Sequence, residues 1–185
     1  RLTQDARERL ELEARLHQAV QRGQLRAFFQ PQIDIASGRL VGAEALVRWL
    51  DPERGLIAPD RFIPVAESSG LINQIGKWIL WQSCMQGQRW IEAGFAPLIV
   101  AVNVSPRQFD DPAPLLATLR DMHNRSLAVY RLKLEITETT RMADAKRTLR
   151  LSANAPSPAI HSTTDITVRN TGYSQPPPLA TCTHP

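Results

Sequence analysis

Glu44, Asn103 and Glu135 are the residues of this 185-residue sequence whose types and settings best suit chemistry. Each falls late in a stretch that reads as strand: Arg39 to Trp49, Ile99 to Ser105, and Leu132 to Glu138. In parallel α/β folds, and in barrels above all, sites form at the C-terminal ends of strands, where loops and inward side chains converge. Two carboxylates and an amide oxygen arriving from three neighbouring strands are a donor set for a hard divalent cation such as Mg²⁺ or Mn²⁺. Carboxylates at strand ends also cap helices or pair with arginine, so the constellation by itself leaves both readings open.

The elements that would position these residues can be read from periodicity. From Leu2 to about Arg22 the apolar residues Leu10, Leu12, Leu16, Ala19 and Val20 recur at helical spacings within a charged, Pro-free stretch, which predicts an amphipathic helix ending at Gly23. Leu25 to Ile35 reads as strand and Ser37-Gly38 as the turn of a hairpin. Along Arg39 to Trp49 the period of two puts Glu44, Leu46 and Arg48 on one face and Ala45, Val47 and Trp49 on the other. Two charges on one face of an apolar strand require a reason.

Arg61 to Gly94 reads as two helices broken near Ser68-Ser69-Gly70, the second with Trp78, Trp81, Cys84, Met85 and Trp90 as its apolar stripe. A strand, a helix from about Pro112 to Asn124, another strand and a helix from Arg141 to Arg150 complete the pattern. Strand alternating with helix favours parallel βα units. From Leu151 to Pro185 charge nearly disappears, Ser, Thr and Pro accumulate, and no period is sustained, so this segment is expected to be disordered.

Composition excludes several classes. The net charge of +4 comes from bases interleaved with acids, as in the first helix, which is the pattern of a solvated face and not of a DNA-binding surface. Cys84 and Cys182 lie far apart, so neither a disulfide framework nor a metal-binding cysteine pair is suggested, and a reducing, cytoplasmic setting fits. No apolar run approaches the roughly 20 residues of a membrane span. The four histidines are scattered without ligand spacing, and Trp49, Trp78, Trp81 and Trp90 read as packing residues.

Five short motifs sharpen the reading. Phe29-Gln30-Pro31-Gln32-Ile33, Gly42-Ala43-Glu44-Ala45-Leu46-Val47-Arg48-Trp49, Phe62-Ile63-Pro64-Val65-Ala66-Glu67, Val102-Asn103-Val104-Ser105 and Leu134-Glu135-Ile136-Thr137-Glu138 resemble, in order and spacing, successive motifs of the EAL domain family, bacterial modules that hydrolyse cyclic di-GMP. The resemblance covers roughly Leu25 to Arg150. It implies an α/β fold, a partial TIM-type (β/α) barrel, since a complete one takes about 250 residues. It divides the chain into a linker helix over 1–23, similar to those joining GGDEF to EAL domains, a partial EAL domain over 24–150, and an aberrant tail over 151–185.

Carried over residue by residue, the resemblance implies that Glu44, Asn103 and Glu135 are metal ligands and that Gln30, Leu46 and Arg48 contact cyclic di-GMP. An apolar Leu46 suits a base and the Arg48 guanidinium suits phosphate oxygens. In the family two metal ions, Mg²⁺ or Mn²⁺, activate a water that opens one phosphodiester to give the linear dinucleotide. The family's further groups, an Asp pair in a DDFGTGYS motif, a Lys-Ile-Asp motif and a late Glu, are not intact in this sequence. Thr171-Gly172-Tyr173-Ser174 matches the end of the aspartate motif, and in that register Thr167 and Val168 stand where the Asp pair would be.

A frameshifted reading frame accounts for both the change in composition and the surviving fragment; a natural tail matching by chance is the alternative. The expectation is therefore a phosphodiesterase domain that is truncated and inactive as it stands, with a degenerate nucleotide- or partner-binding signalling module as the rival reading. Fusion to GGDEF or sensory domains, and a homodimer formed through an unclosed sheet edge beyond the Glu135 strand, are the further expectations.

Overall fold

The computed structural model describes residues 4–125, 132–137 and 166–169. The helix expected over Arg141 to Arg150 lies outside them. The chain begins with α1 (Gln4–Gln21), then forms β1 (Leu25–Ile33) and β2 (Leu40–Asp51), a hairpin continued by the short β3 (Gly55–Ile57). Two helices follow, α2 (Pro59–Ser69) and α3 (Ile72–Glu92), then β4 (Ile99–Val104), a 3₁₀ turn (Pro106–Phe109), α4 (Ala113–Asn124), β5 (Leu132–Thr137) and β6 (Ile166–Arg169).

Local chemistry sets these boundaries. The β1–β2 hairpin closes where Asp34 accepts the Ser37 backbone N–H at 2.9 Å and the Ser37 hydroxyl, with Gly38 at φ 67° supplying the left-handed step. Gly70 ends α2 in the left-handed conformation at φ 79°, which separates α2 from α3 at the predicted break. The turn after β4 is capped reciprocally: the Ser105 hydroxyl accepts from the Arg107 N–H, and the Gln108 side-chain oxygen accepts from the Ser105 N–H at 3.1 Å.

The sheet runs β1-β2-β4-β5-β6, with β3 paired to the other part of β2. β1 and β3 are antiparallel to β2, whereas β2, β4, β5 and β6 are mutually parallel, as expected for βα units. One face is covered by helices. Ala45, Val100, Val102, Leu132 and Leu134 pack there against Ile79, Leu80 and Cys84 of α3 and Leu115 and Met122 of α4. A second core joins α1 to the body through Leu12, Leu16 and Ala19, which meet Trp49, Phe62, Leu71 and Ile75. The Trp49 and Phe62 rings meet edge to face at 6.0 Å.

Three expectations change. The stripe of α3 is centred on Ile72, Ile75, Ile79, Leu80, Ser83 and Cys84, while Met85 is exposed and Trp78, Trp81 and Trp90 are only partly buried. Residues 166–169, inside the segment expected to be disordered, form a strand. Ile166, Thr167 and Val168 are β-branched and lie against the open edge of β5, which offers unpaired backbone groups. The free sheet edge is therefore not the far side of the Glu135 strand, where the dimer contact was expected. Among the described residues, no helix is long and apolar enough to cross a membrane.

Candidate functional site

The face of the sheet opposite the helices collects the polar residues singled out in the sequence. Because strand side chains alternate, burying Ala45 and Trp49 under the helices turns Glu44, Leu46 and Arg48 to the other side, and β1 follows in register. Gln30 stands opposite Glu44, Phe28 opposite Leu46, and Arg26 opposite Arg48. On β4 and β5 the same logic turns out Ala101, Asn103, Lys133 and Glu135. Glu44 is aligned with Ala101, Ala101 with Lys133, and Asn103 with Glu135.

The structure thus brings Glu44, Asn103 and Glu135 onto one face. Asn103 Nδ2 donates to Glu44 Oε1 at 2.7 Å. Adjacent ligands of an octahedral Mg²⁺ with metal–oxygen bonds near 2.1 Å are about 3 Å apart, so the two side chains have the separation of neighbouring ligands once the amide turns its oxygen toward the ion. Glu135 is buried, 4% exposed, and its Oε1 lies 3.1 Å from Lys133 Nζ. The donors are all hard oxygens, which fits Mg²⁺ or Mn²⁺. Among the described residues no three His, Cys, Asp or Glu side chains group closely enough to hold an ion without the amide.

Gln30 and Phe28 are exposed on this face, and Leu46 and Arg48 are half-buried. Arg48 Nη1 rests on the Val47 carbonyl at 3.1 Å, and Arg26 Nη1 donates to the Gly23 and Leu25 carbonyls at 2.7 and 2.8 Å. Two arginines directly across an antiparallel pair repel one another, and an anion between them would relieve that repulsion.

Behind the site, Glu67 of α2 accepts the Ser105 hydroxyl at 2.7 Å, which ties α2 to the turn that follows Asn103. Sequence reading placed Glu67 only at the end of the Phe62-to-Glu67 motif and did not connect it to Ser105. It also passed over Lys133, whose signal was its place two residues before Glu135 in a strand and hence on the same face. Glu138 lies outside the described residues. His17 and His123 are exposed, and the partly buried Trp78, Trp81 and Trp90 pack into the helix-side core, away from the polar face.

In register, β6 sets Thr167 beside Glu135 and Val168 beside Ile136. The next position along the row of Asn103 and Glu135 is thus held by a residue without a carboxylate.

A model described as EAL domain matches residues 13–155. A Synechocystis sp. protein is 39% identical over 173 residues, covering 94% of this chain and 25% of that protein. The bifunctional diguanylate cyclase/cyclic di-GMP phosphodiesterase MucR of Pseudomonas aeruginosa is 41% identical over 145 residues, covering 78% of this chain and 21% of that protein. The structure of a MucR phosphodiesterase in complex with c-di-GMP superposes with a TM-score of 0.73 at 35% identity, over 89% of this chain and 66% of that one. The chain spans a quarter or less of the length of these curated relatives.

Proposed function

The chain belongs to the EAL domain family, and from that premise we propose that its polar sheet face is one part of a cyclic di-GMP phosphodiesterase site. Glu44, Asn103 and Glu135 would hold a divalent cation, Mg²⁺ or Mn²⁺, and Gln30, Leu46 and Arg48 would hold the dinucleotide. The observation that carries this reading is the convergence of Glu44, Asn103 and Glu135 from three strands onto one face, with Glu44 and Asn103 already 2.7 Å apart.

The residues divide the work by chemistry. Arg48 offers a planar, permanently charged fork to a phosphate, Leu46 and Phe28 present apolar surface to a base, and Gln30 can both donate and accept at a base edge. A bound cation would polarise the phosphodiester and activate water. Glu44 and Asn103 fix its place from β2 and β4, and Glu67 steadies the turn behind Asn103 through Ser105.

The same geometry supports a non-hydrolytic reading of the chain as it stands, because Thr167 occupies the register position beside Glu135 and supplies no anionic ligand. Three oxygens hold one ion; an in-line displacement clamped by two ions needs more. The domain is read as cytoplasmic and joined to GGDEF or sensory domains in a longer protein, in keeping with its match to only part of MucR.

Calorimetric titration with cyclic di-GMP, paired with chromatography of the products in Mg²⁺ and in Mn²⁺, tests both halves. Weak binding that falls on Arg48→Ala, with no linear dinucleotide formed, is expected. Linear dinucleotide that is lost on Glu44→Ala would overturn the non-hydrolytic half, and absence of nucleotide binding would overturn the site.

A further inference from the structure

We infer that Lys133 is a built-in counter-cation of the metal pocket, one that competes with the divalent ion for Glu135 and so sets how tightly that ion binds. This rests on the reading of Glu44, Asn103 and Glu135 as metal ligands.

The placement follows from β-strand geometry. Lys133 and Glu135 are two residues apart on β5, so their side chains leave the same face, and Lys133 Nζ stands 3.1 Å from Glu135 Oε1. The contact is sheltered: the side chains are 19% and 5% exposed. In the row below, Glu44, Ala101 and Lys133 are aligned across three strands. Two strand spacings put the Glu44 and Lys133 backbones about 9.5 Å apart. In register, the Ala101 methyl stands between them, and Lys133 turns its charge toward Glu135.

Two consequences follow for a cation. Glu135 has little access to water, and Lys133 supplies a positive charge at its Oε1. A divalent ion must displace that ammonium from Glu135 or share the carboxylate with it, and charges of like sign a few ångströms apart in a sheltered site repel strongly. Lys133 therefore lowers the affinity for metal while offsetting one of the two negative charges of the empty pocket.

The test is Mn²⁺ binding to the full 185-residue chain, read by electron paramagnetic resonance and calorimetry, so that no catalytic readout is needed. Lys133→Met, which keeps the stem and removes the charge, should bind Mn²⁺ about tenfold more tightly than the parent. Lys133→Arg should stay close to the parent, and Glu135→Gln should lose binding in either background. If binding needs Glu135 but Lys133→Met binds no tighter than the parent, or binds less tightly, the counter-cation role is overturned and the metal reading survives. If Mn²⁺ binds and ignores Glu135→Gln, or if neither the parent nor Lys133→Met binds it at all, the metal reading fails and the inference with it.

Discussion

Arg15 of α1 grips Asp51 at the end of β2 with one edge of its guanidinium: Nη2 lies 2.7 and 2.9 Å from the two carboxylate oxygens and Nε lies 3.2 Å from Oδ2. Asp51 is buried, 3% exposed, and also accepts the backbone N–H groups of Glu53 and Arg54, each at 2.9 Å. Arg15 reaches Glu53 at 2.8 Å, and Arg54 pairs with Glu11 of α1. The helix that sequence reading set apart as a linker is thus pinned to the strand end three residues beyond Arg48. Its apolar stripe, Leu12, Leu16 and Ala19, is part of the core.

Removing the Asp51 charge should destabilise the fold by about 2 kcal/mol, the scale of hydrogen bonds to a charged group. Burial alone would raise the pKa of this carboxyl, but the Arg15 guanidinium and the two backbone N–H groups outweigh it and hold it below its ordinary 3.8. A carboxylate with a lowered folded-state pKa stabilises fully above its unfolded value and loses that contribution as pH falls through the folded one. Urea denaturation of Asp51→Asn should therefore show a deficit at pH 7 that shrinks below about pH 4. An unchanged midpoint at pH 7 would remove Asp51 from the stabilising contacts.

The parts of the fold that sequence made legible are those in which a local pattern and the tertiary environment agree. The alternation along β2 sorted Glu44, Leu46 and Arg48 from Ala45, Val47 and Trp49; Ala45 and Trp49 are buried, and Val47 is partly buried against both cores. The apolar run of β4 and the break at Gly70 were equally plain. The stripe of α3 was not, because tryptophans attract attention by size, whereas the fully packed line runs through Ile75, Ile79 and Leu80 and leaves Met85 outside. β3 and β6 were missed because strands of three and four residues have too little period to read; their pairing to β2 and β5 comes from neighbouring edges. The links Glu67 to Ser105 and Arg15 to Asp51 join residues 38 and 36 positions apart, separations that no local window contains.

Gly42 faces Ile99 where β2 and β4 begin to pair, and a single methyl there should expose how tight that approach is. A Cβ built there would lie 2.5 Å from the Ile99 carbonyl oxygen, a backbone atom that cannot swing aside. Gly42→Ala should cost about 1–3 kcal/mol, the usual penalty for overpacking, and should displace Glu44, two residues on. Denaturant titration measures the first effect, and weaker Mn²⁺ binding reports the second. Stability equal to the parent would show that the two strands can part without cost.

Cys84 is buried in the helix-side core, and that burial pushes its thiol pKa up to about 12. The thiolate is the reactive form, so at pH 8 almost none is present and access is closed as well. Peptide-resolved mass spectrometry after brief iodoacetamide treatment should find Cys84 unmodified in the native chain and fully modified in denaturant. Rapid native labelling of Cys84 would mean that α3 does not stay packed on β4.

Thr167 offers the sharpest test of how the polar face could become a complete metal site. β6 runs parallel to β5 with Thr167 opposite Glu135, as Glu135 is opposite Asn103, so an acidic residue at 167 extends one row of oxygen donors across β4, β5 and β6. Cation affinity rises with the number and charge of the oxygen ligands, and a fourth donor with a negative charge changes both. Thr167→Asp should therefore tighten Mn²⁺ binding by about tenfold. The gain should vanish in Thr167→Asp/Glu135→Gln, because the new carboxylate then has no anionic partner across the strand pair. Arg169→Gln, two residues along β6 and beside Thr137 in register, is the control, since it changes net charge by the same single unit one row away. Equal tightening by Arg169→Gln would trace the effect to net charge alone, whereas tightening confined to position 167 would mark the row of Asn103 and Glu135 as the ion's seat.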